Sequence, residues 1–463
     1  MHIGKLPDLR RREFLRRAVA LGAFGTAAPL VATLSRFGIA SAATAPAGYK
    51  ALVCVFLYGG NDYGNTLVPY DSPSYSAYSA IRQALATPRD QLAGTVLAPS
   101  VALPNGRSMA LAPQLAPLKP IFDAGRLGVM LNLGNLVQPT TLAQYQARSV
   151  PLPPKLFSHP DQTNVWQEAA PENLSTGWGG RIGDLLMASN AYPTFTCVNV
   201  TQNAIFMAGQ QVDQYQISAS GPTAINGLNR SIYGASGVSS ALRTLITTPR
   251  TQWFEQDLNQ ISSRSIDAQA ASAAALAAVP PFATPYDSTN ALAMQLQMVA
   301  RMIAARTALG SGRQVFFVSL GGFDLHDNLV AQHPLVLGKV GSALASFYNT
   351  TVELGVASQV TAFTSSEFGR TLTSNGDGSD HGWGSHHFVL GGAVNGGLYW
   401  GQLPEVSVNG PDDVGQGRLL PTTSVDQLAA TLGTWMGLSD SDLSTVLPQI
   451  GNYSTRNLGF MGA

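Results

Sequence analysis

Imidazoles and carboxylates recur together at a few points of this 463-residue sequence. Beyond residue 42 there are six histidines, and four of them fall in two short clusters, each downstream of an apolar run. Gly321-Gly322-Phe323-Asp324-Leu325-His326 is the first. Asp380-His381-Gly382-Trp383-Gly384-Ser385-His386-His387, after Ser366-Glu367-Phe368-Gly369-Arg370, is the second. Asp62, in Gly59-Gly60-Asn61-Asp62-Tyr63-Gly64-Asn65, adds a third acidic point. Mixed carboxylate and imidazole donors suit a divalent cation such as zinc, manganese or calcium, and six or so could hold two ions about 4 Å apart. The candidate ligands are Asp62, Asp324, His326, Glu367, Asp380, His381, His386 and His387. Gly-Gly ahead of an acid lets the backbone turn sharply beside a ligand, although the same pattern also makes ordinary turns.

Other readings stand beside that one. Glu367 and Arg370 either form a structural ion pair or act separately, Glu367 as a ligand or its orienter and Arg370 gripping an anionic oxygen through two hydrogen bonds. On a strand His386 and His387 point to opposite faces, so only one of them can face a site. His159, in Phe157-Ser158-His159-Pro160, is either a substrate contact or proton donor, or a surface ring packed on proline. His333, just before Pro334, reads as a helix start, and Trp178 and Arg181 in Gly177-Trp178-Gly179-Gly180-Arg181 as anchors of the helix that follows.

Elements that could position these groups are legible in the apolar pattern. Runs rich in Val, Leu and Phe at 51–58, 127–133, 195–200, 314–320, 360–365 and 387–390 lack polar alternation, which predicts strands covered on both faces. Helical periodicity at 113–124, at Leu292, Leu296, Val299 and Ile303, and at 336–354 falls between them. Strand, helix, strand in that order predicts an α/β fold, a three-layer α/β/α sandwich around a mostly parallel sheet, with sites at the strand carboxyl ends. Residues 203–310 break the rhythm with a Gln/Asn/Ser-rich stretch, an Ala-rich run and Pro280-Pro281, and read as a helical insertion. Ser424-Val425-Asp426-Gln427 has capping-box spacing ahead of Leu428, Leu432 and Met436, so a closing helix is expected there.

Composition narrows the function classes. Charged residues are 12% and hydrophobic ones 45%, which excludes charge-driven disorder. Lys plus Arg and Asp plus Glu both number 27, leaving no basic surplus for nucleic acid to attract. Two cysteines exclude a disulfide scaffold and a four-cysteine zinc site. Cys54 and Cys197 lie inside apolar runs and are expected as buried thiols rather than a disulfide.

The balanced charge conceals an asymmetry. Residues 1–42 hold seven basic side chains against Asp8 and Glu13, so twenty basic and twenty-five acidic groups remain beyond them, a net charge of −5. A basic start, an apolar run over 18–34 and Ala40-Ser41-Ala42 as a small-residue cleavage site make 1–42 a targeting peptide that stays out of the fold. Arg11-Arg12-Glu13-Phe14-Leu15-Arg16 resembles the twin-arginine export signal, read by machinery that carries folded cargo. An ordinary secretory signal or an uncleaved anchor is the alternative. No later stretch is long and apolar enough to span a bilayer, so the mature region 43–463 is expected in the periplasm or outside the cell.

Several of these motifs occur together in a known family. Gly59-Gly60-Asn61-Asp62, Ser158-His159, Gly177-Trp178-Gly179-Gly180-Arg181, Gly322-Phe323-Asp324-Leu325-His326, Glu367-Phe368-Gly369-Arg370 with Asn375, Asp380-His381-Gly382 and the closing Ser424-Val425-Asp426 helix resemble the bacterial secreted family catalogued as domain of unknown function 1501. The likeness runs along almost all of the mature chain, and Glu-Phe-Gly-Arg followed by Asn and Asp-His-Gly is its most specific piece. That family is similar to the alkaline phosphatase and sulfatase superfamily. The resemblance implies an alkaline-phosphatase-like sandwich with one or two divalent ions, Asp62, Asp380 and His381 around one and Asp324, His326 and His386 or His387 around the other. The chain departs from that pattern in three places. Its middle pair is Asp-x-His, not Asp-x-x-x-His; Glu367 competes with Asp380 as the acid that follows the run at 360–365; and the helix beginning Leu111-Ala112-Pro113-Gln114 offers no hydroxyl where the superfamily keeps its nucleophile. Ser108 and Thr66 are the nearest candidates, unless water activated by the metal attacks directly.

The expected activity is therefore metal-dependent hydrolysis of phosphate or sulfate esters, on a small molecule or a polymer, with Arg370 or Asn65 stabilising charge on the transferred group. The alternative is an exported binding or assembly protein that keeps the sandwich as a scaffold. The leader reading has a direct check: the R11K/R12K double variant of the full chain is expected to lose its periplasmic fraction and accumulate unprocessed in the cytoplasm, read by fractionation and immunoblotting. Undiminished export would assign the leader to another route.

Overall fold

A computed structural model describes residues 48–462 except 171–173, 229–230, 232–233 and 236, and the targeting peptide expected at 1–42 lies outside the described residues. Strand β1 (Lys50–Leu57) is buried on both faces, and the alternation of its side chains divides them between two cores. Ala51, Val53, Val55 and Leu57 pack with the helices Ala291–Ala304 and Leu329–Glu353. Leu52, Cys54 and Phe56 pack with Trp178–Leu186 and Val425–Met436 on the other side. Helices therefore cover both faces, and the chain is a three-layer α/β/α sandwich.

The other strands, in chain order, are β2 (Leu67–Pro69), β3 (Met109–Leu111), β4 (Leu127–Gly134), β5 (Cys197–Asn199), β6 (Tyr215–Gln216), β7 (Arg313–Leu320), β8 (Val360–Ser365), β9 (Ser385–Gly391), β10 (Leu398–Trp400) and β11 (Thr423–Ser424). The central sheet runs β10-β4-β9-β8-β1-β7-β5-β6 with β11 beside β4, while β2 and β3 pair separately. Within the central sheet β9 runs antiparallel to both β4 and β8, and the remaining pairs are parallel. Leu57 is level with Leu320, and Phe56 with Ser365. The chain thus leaves β1, β7 and β8 at one edge of the sheet, side by side.

Within 203–310, β6 extends the sheet, Ala291–Ala304 belongs to one outer layer, and the Trp253–Ala277 helix adds Ala275 and Leu276 to the core beneath it. His333 departs from expectation: the helix begins at Leu329, so the ring is buried inside it, and burial lowers its pKa to about 4. Cys54 and Cys197 are buried free thiols. Among the described residues no helix is long and apolar enough to cross a membrane.

The closing helix begins with the capping box read from its spacing. Ser424 Oγ accepts from Asp426 N at 3.1 Å, and Gln427 Oε1 accepts from Ser424 N at 3.0 Å. Asp426 is buried, with Oδ1 unpartnered and Oδ2 accepting only from the Ser424 hydroxyl at 3.0 Å. Burial therefore pushes its pKa up to about 7, against the pull of Ser424 and Arg181. A carboxyl that is harder to ionise folded than unfolded stabilises the fold at acidic pH, and that stability is lost as pH rises through the folded value. Wild type relative to D426N is expected to weaken by up to about 1.4 kcal/mol per pH unit between pH 4 and 7 and to level off above. Urea unfolding of both proteins across that range checks this, and parallel pH curves would refute it.

Candidate metal centre

Each of the three strand exits at the shared edge supplies part of one cluster. The exit of β1 crosses the exit of β7 at contact distance: Phe323 N donates to Tyr58 O at 3.2 Å, and a Cβ on Gly59, whose φ is +118°, would stand 2.2 Å from Asp324 N. Only glycine permits that approach. Beyond β8, Arg370 and His381 bridge as antiparallel partners, with Thr371 N donating to Asp380 O at 2.9 Å. This pairing folds the Asp380-His381 loop back over the Asp324 turn. Asn375 Nδ2 joins the two by donating to His326 O and Asp380 Oδ1, both at 3.0 Å.

A fourth element completes the cluster. The His159–Glu168 helix carries His159 at its first position, and its Trp166 is anchored in an aromatic slab with Phe56 (ring centroids 5.1 Å apart) and Trp178 (5.8 Å). At the other end Gln162 Nε2 donates to Pro154 O at 2.7 Å. Both ends of the helix are fixed, which holds His159 over the strand edge.

Asp324 is the hub. Its Oδ1 lies 2.6 Å from Arg370 Nη1, 3.0 Å from His326 Nε2 and 3.1 Å from His381 Nε2, while Oδ2 lies 3.3 Å from His159 Nε2. The last pair is not aligned as a hydrogen bond, and His159 Nε2 is a buried nitrogen without a partner. Each ring is held from behind through Nδ1: His159 by Glu367 Oε1 at 2.7 Å, His381 by Phe157 O at 2.7 Å, His326 by Asp380 Oδ1 at 3.2 Å. An acceptor at Nδ1 favours the proton there and turns Nε2 towards Asp324, the arrangement that carboxylates and carbonyls impose on metal-binding histidines. His326 Nε2 also lies 2.9 Å from His381 Nε2, a contact that needs a proton on one of the two or a cation beside both. His159, Asp324 and His381 each offer a donor atom within 4.8 Å of the others.

Buried charge lies underneath. Glu367 and Arg370 do not pair with each other: Glu367 Oε1 also accepts from Gly59 N at 2.9 Å, and Arg370 donates to Gly59 O at 3.1 Å as well as to Asp324 and Ser379. Burial tends to raise the Asp324 pKa, but the hydrogen bond and charge of Arg370, with His159 and His381, bring it down to about 2. The Glu367 hydrogen bond raises the His159 pKa above its ordinary value, whereas burial lowers that of His381. For Asp380, hydrogen bonds from Asn375 and His326 outweigh burial and keep it below the usual carboxylate range.

Other residues expected at the site are bonded into other parts of the fold. Asp62 makes a buried ion pair with Arg82, at the end of the Ser72–Arg82 helix, and caps the turn after β1 by accepting from Gly64 N at 3.1 Å. Asn65 spends its amide on Leu85 O and on the Tyr78 hydroxyl. The Thr66 hydroxyl bonds Asp62 O at 2.7 Å and the Asn61 amide, and Ser108 lies beside β3, its N–H donating to Asp71 Oδ2 at 3.0 Å. His386 and His387 are both buried in β9, which lowers each pKa to about 3. His386 Nδ1 accepts from Asn132 N at 3.1 Å. None of these side chains has a hydrogen bond to the Asp324 cluster among the described residues. His159 entered the sequence reading as a substrate contact or proton donor, or as a surface ring packed on proline, and not among the ligands. The signal for more was Ser-His-Pro, which places a histidine at the first turn of a helix.

The family model described as "Protein of unknown function (DUF1501)" matches residues 49–450. The chain belongs to this family. No curated protein matches its sequence. Among solved structures, this DUF1501 chain is similar to the C-terminal periplasmic domain of EcEptC from Escherichia coli, at 11% identity and TM-score 0.36 over 90% of this chain and 87% of that one. It is also similar to the lipoteichoic acid synthase LtaP from Listeria monocytogenes (8%, TM-score 0.33, 85% and 73%) and to the PsFucS1 sulfatase from Pseudoalteromonas sp. (10%, TM-score 0.31, 90% and 70%).

The two kinds of acid in this DUF1501 chain should respond differently to mutation. Asp62→Asn leaves the Arg82 charge buried without its partner and is expected to cost about 3–5 kcal/mol of stability while metal content is unchanged. His381→Ala is expected to abolish metal retention with little loss of stability. Urea unfolding and elemental analysis of the purified variants read both, and metal loss in D62N would return Asp62 to the ligand set.

Proposed function

We propose that this chain is an exported, metal-dependent hydrolase of phosphate or sulfate esters. The observation that carries the reading is the convergence of three imidazole Nε2 atoms on the Asp324 carboxylate, each ring held from behind. His381 Nε2 stands 3.1 Å from Asp324 Oδ1 and 2.9 Å from His326 Nε2, contacts that either a proton or a cation can satisfy. His159, Asp324 and His381 would hold the cation, three protein donors that leave a position open. A divalent cation there supplies polarisation of the ester oxygen and acidification of a water.

The chain's own residues do the rest. Arg370, fully buried and committed to Asp324, Gly59 and Ser379, keeps Asp324 ionised and oriented. Glu367 fixes the ring of His159 and Phe157 O that of His381. His326 is the more open imidazole, its side chain 43% exposed against 23% for His381, and Asp380 backs it. It is the group suited to hand a proton to a leaving oxygen. The motif resemblance to the phosphatase and sulfatase superfamily supports the same class of chemistry.

The Thr66 hydroxyl is committed to Asp62 O, away from the cluster, which favours attack by water over that side chain and also supports the second reading, a metal-holding scaffold without turnover. Metal analysis of the purified mature chain, with a panel of aryl phosphates and aryl sulfates, separates the two. The hydrolase reading expects bound metal and turnover abolished in H381A, with Glu367→Gln reducing kcat/KM about 10- to 100-fold. Metal without turnover supports the scaffold, and absence of both refutes the metal centre.

A further inference from the structure

A concavity opens at the same carboxyl edge of the sheet. It encloses about 790 Å³ at the ends of β1, β5, β6 and β7, lined in part by Tyr58, Gln202, Asn203, Gln216, Thr223 and Ser319. Among the described residues that line it, none carries a charge. Tyr58 directly precedes Gly59, and Ser319 lies one residue before the end of β7, whose exit carries Asp324. The wall of this cavity and the Asp324 cluster are therefore built on the same two strand exits.

The lining is chemically selective. Carboxamides and hydroxyls offer donors and acceptors together without charge, which matches a ligand whose own groups both donate and accept. Gln216 is tethered through Nε2 to Thr201 O at 2.7 Å, and Gln295, also in the lining, is fixed on the backbone of Ser319. Gln202 and Asn203 are exposed, and neither side chain has a hydrogen bond among the described residues, so both are available to a ligand. The partly exposed ring of Tyr58 supplies apolar surface beside them. Alternating polar rims and small apolar patches complement a sugar ring, with hydroxyls at its edge and C–H groups on its faces. A peptide would want deeper apolar pockets for its side chains, and a nucleotide would want positive charge.

We propose that this cavity binds an uncharged stretch of an oligosaccharide, and that the glycan so held carries, on another of its sugars, the ester presented to the Asp324 centre. The second clause rests on the hydrolase reading; the first does not. The full mature protein is probed on a printed array of neutral glycans built from glucose, galactose, mannose and N-acetylglucosamine, and the best hexamer is then titrated calorimetrically. Binding is expected to weaken about tenfold in the Q202A/N203A double variant, as loss of one or two neutral hydrogen bonds implies, and to persist in H381A. The thermal midpoint of the double variant and its turnover of small aryl esters are expected to be unchanged. Thr223→Arg, which sets a bulky charge into the neutral lining, provides a second variant expected to weaken binding. Absence of variant-sensitive glycan binding overturns the proposal even where aryl esters are hydrolysed, and so does capture of a peptide library that the same variants abolish. Glycan binding without any ester hydrolysis leaves the cavity assignment standing and removes the hydrolase.

Discussion

β1 has a parallel partner on each side, and its register with β7 and β8 brings three chain exits to the same level. Parallel strands all point their carboxyl ends one way, so loops that are far apart in sequence must emerge as neighbours. The exits carry Gly59, Asp324 and Glu367, and the hydrogen bonds among them close the floor of the cluster. Removal of that register would scatter the acids and imidazoles without altering any of them. The two cores that grip alternate residues of β1 hold the register, because a slip by one position would exchange every inward side chain between them.

Upon that floor the centre is layered by exposure. Glu367 and Arg370 are buried, and Asp324 and His326 are nearly half exposed. The buried residues fix geometry and ionisation, and the other two face solvent. Opposite shifts at His159 and His381 follow from this layering: one ring gains an anion at its back, the other only a carbonyl and a loss of water.

Much of the fold was readable because strands buried on both faces leave continuous apolar runs, and the runs at 51–58, 127–133, 314–320 and 360–365 became β1, β4, β7 and β8. Strand direction was not readable, since an apolar run looks the same both ways, and the reversal of β9 emerged only from its partners. β6, β10 and β11 span two or three residues, too few for any period to show. At the site, the Gly-Phe-Asp-Leu-His and Asp-His-Gly motifs gave away Asp324, His326, Asp380 and His381 as neighbours. Asp62 was opaque for a physical reason. A carboxylate at a strand end can face a cation or an arginine, and Arg82, at the end of a helix with an unremarkable sequence, carries no mark that singles it out as the partner.

The pairing of Lys50 with Arg313 and of Ala51 with Val360 sets a timetable for synthesis. The first strand leaves the ribosome as a bare apolar ribbon, both edges open, long before either neighbour has been translated. Until then it can add to the edge of any other unfinished chain. Aggregation during translation, more than weakness of the finished sandwich, is therefore the hazard this architecture builds in, and slow elongation would lengthen the exposure.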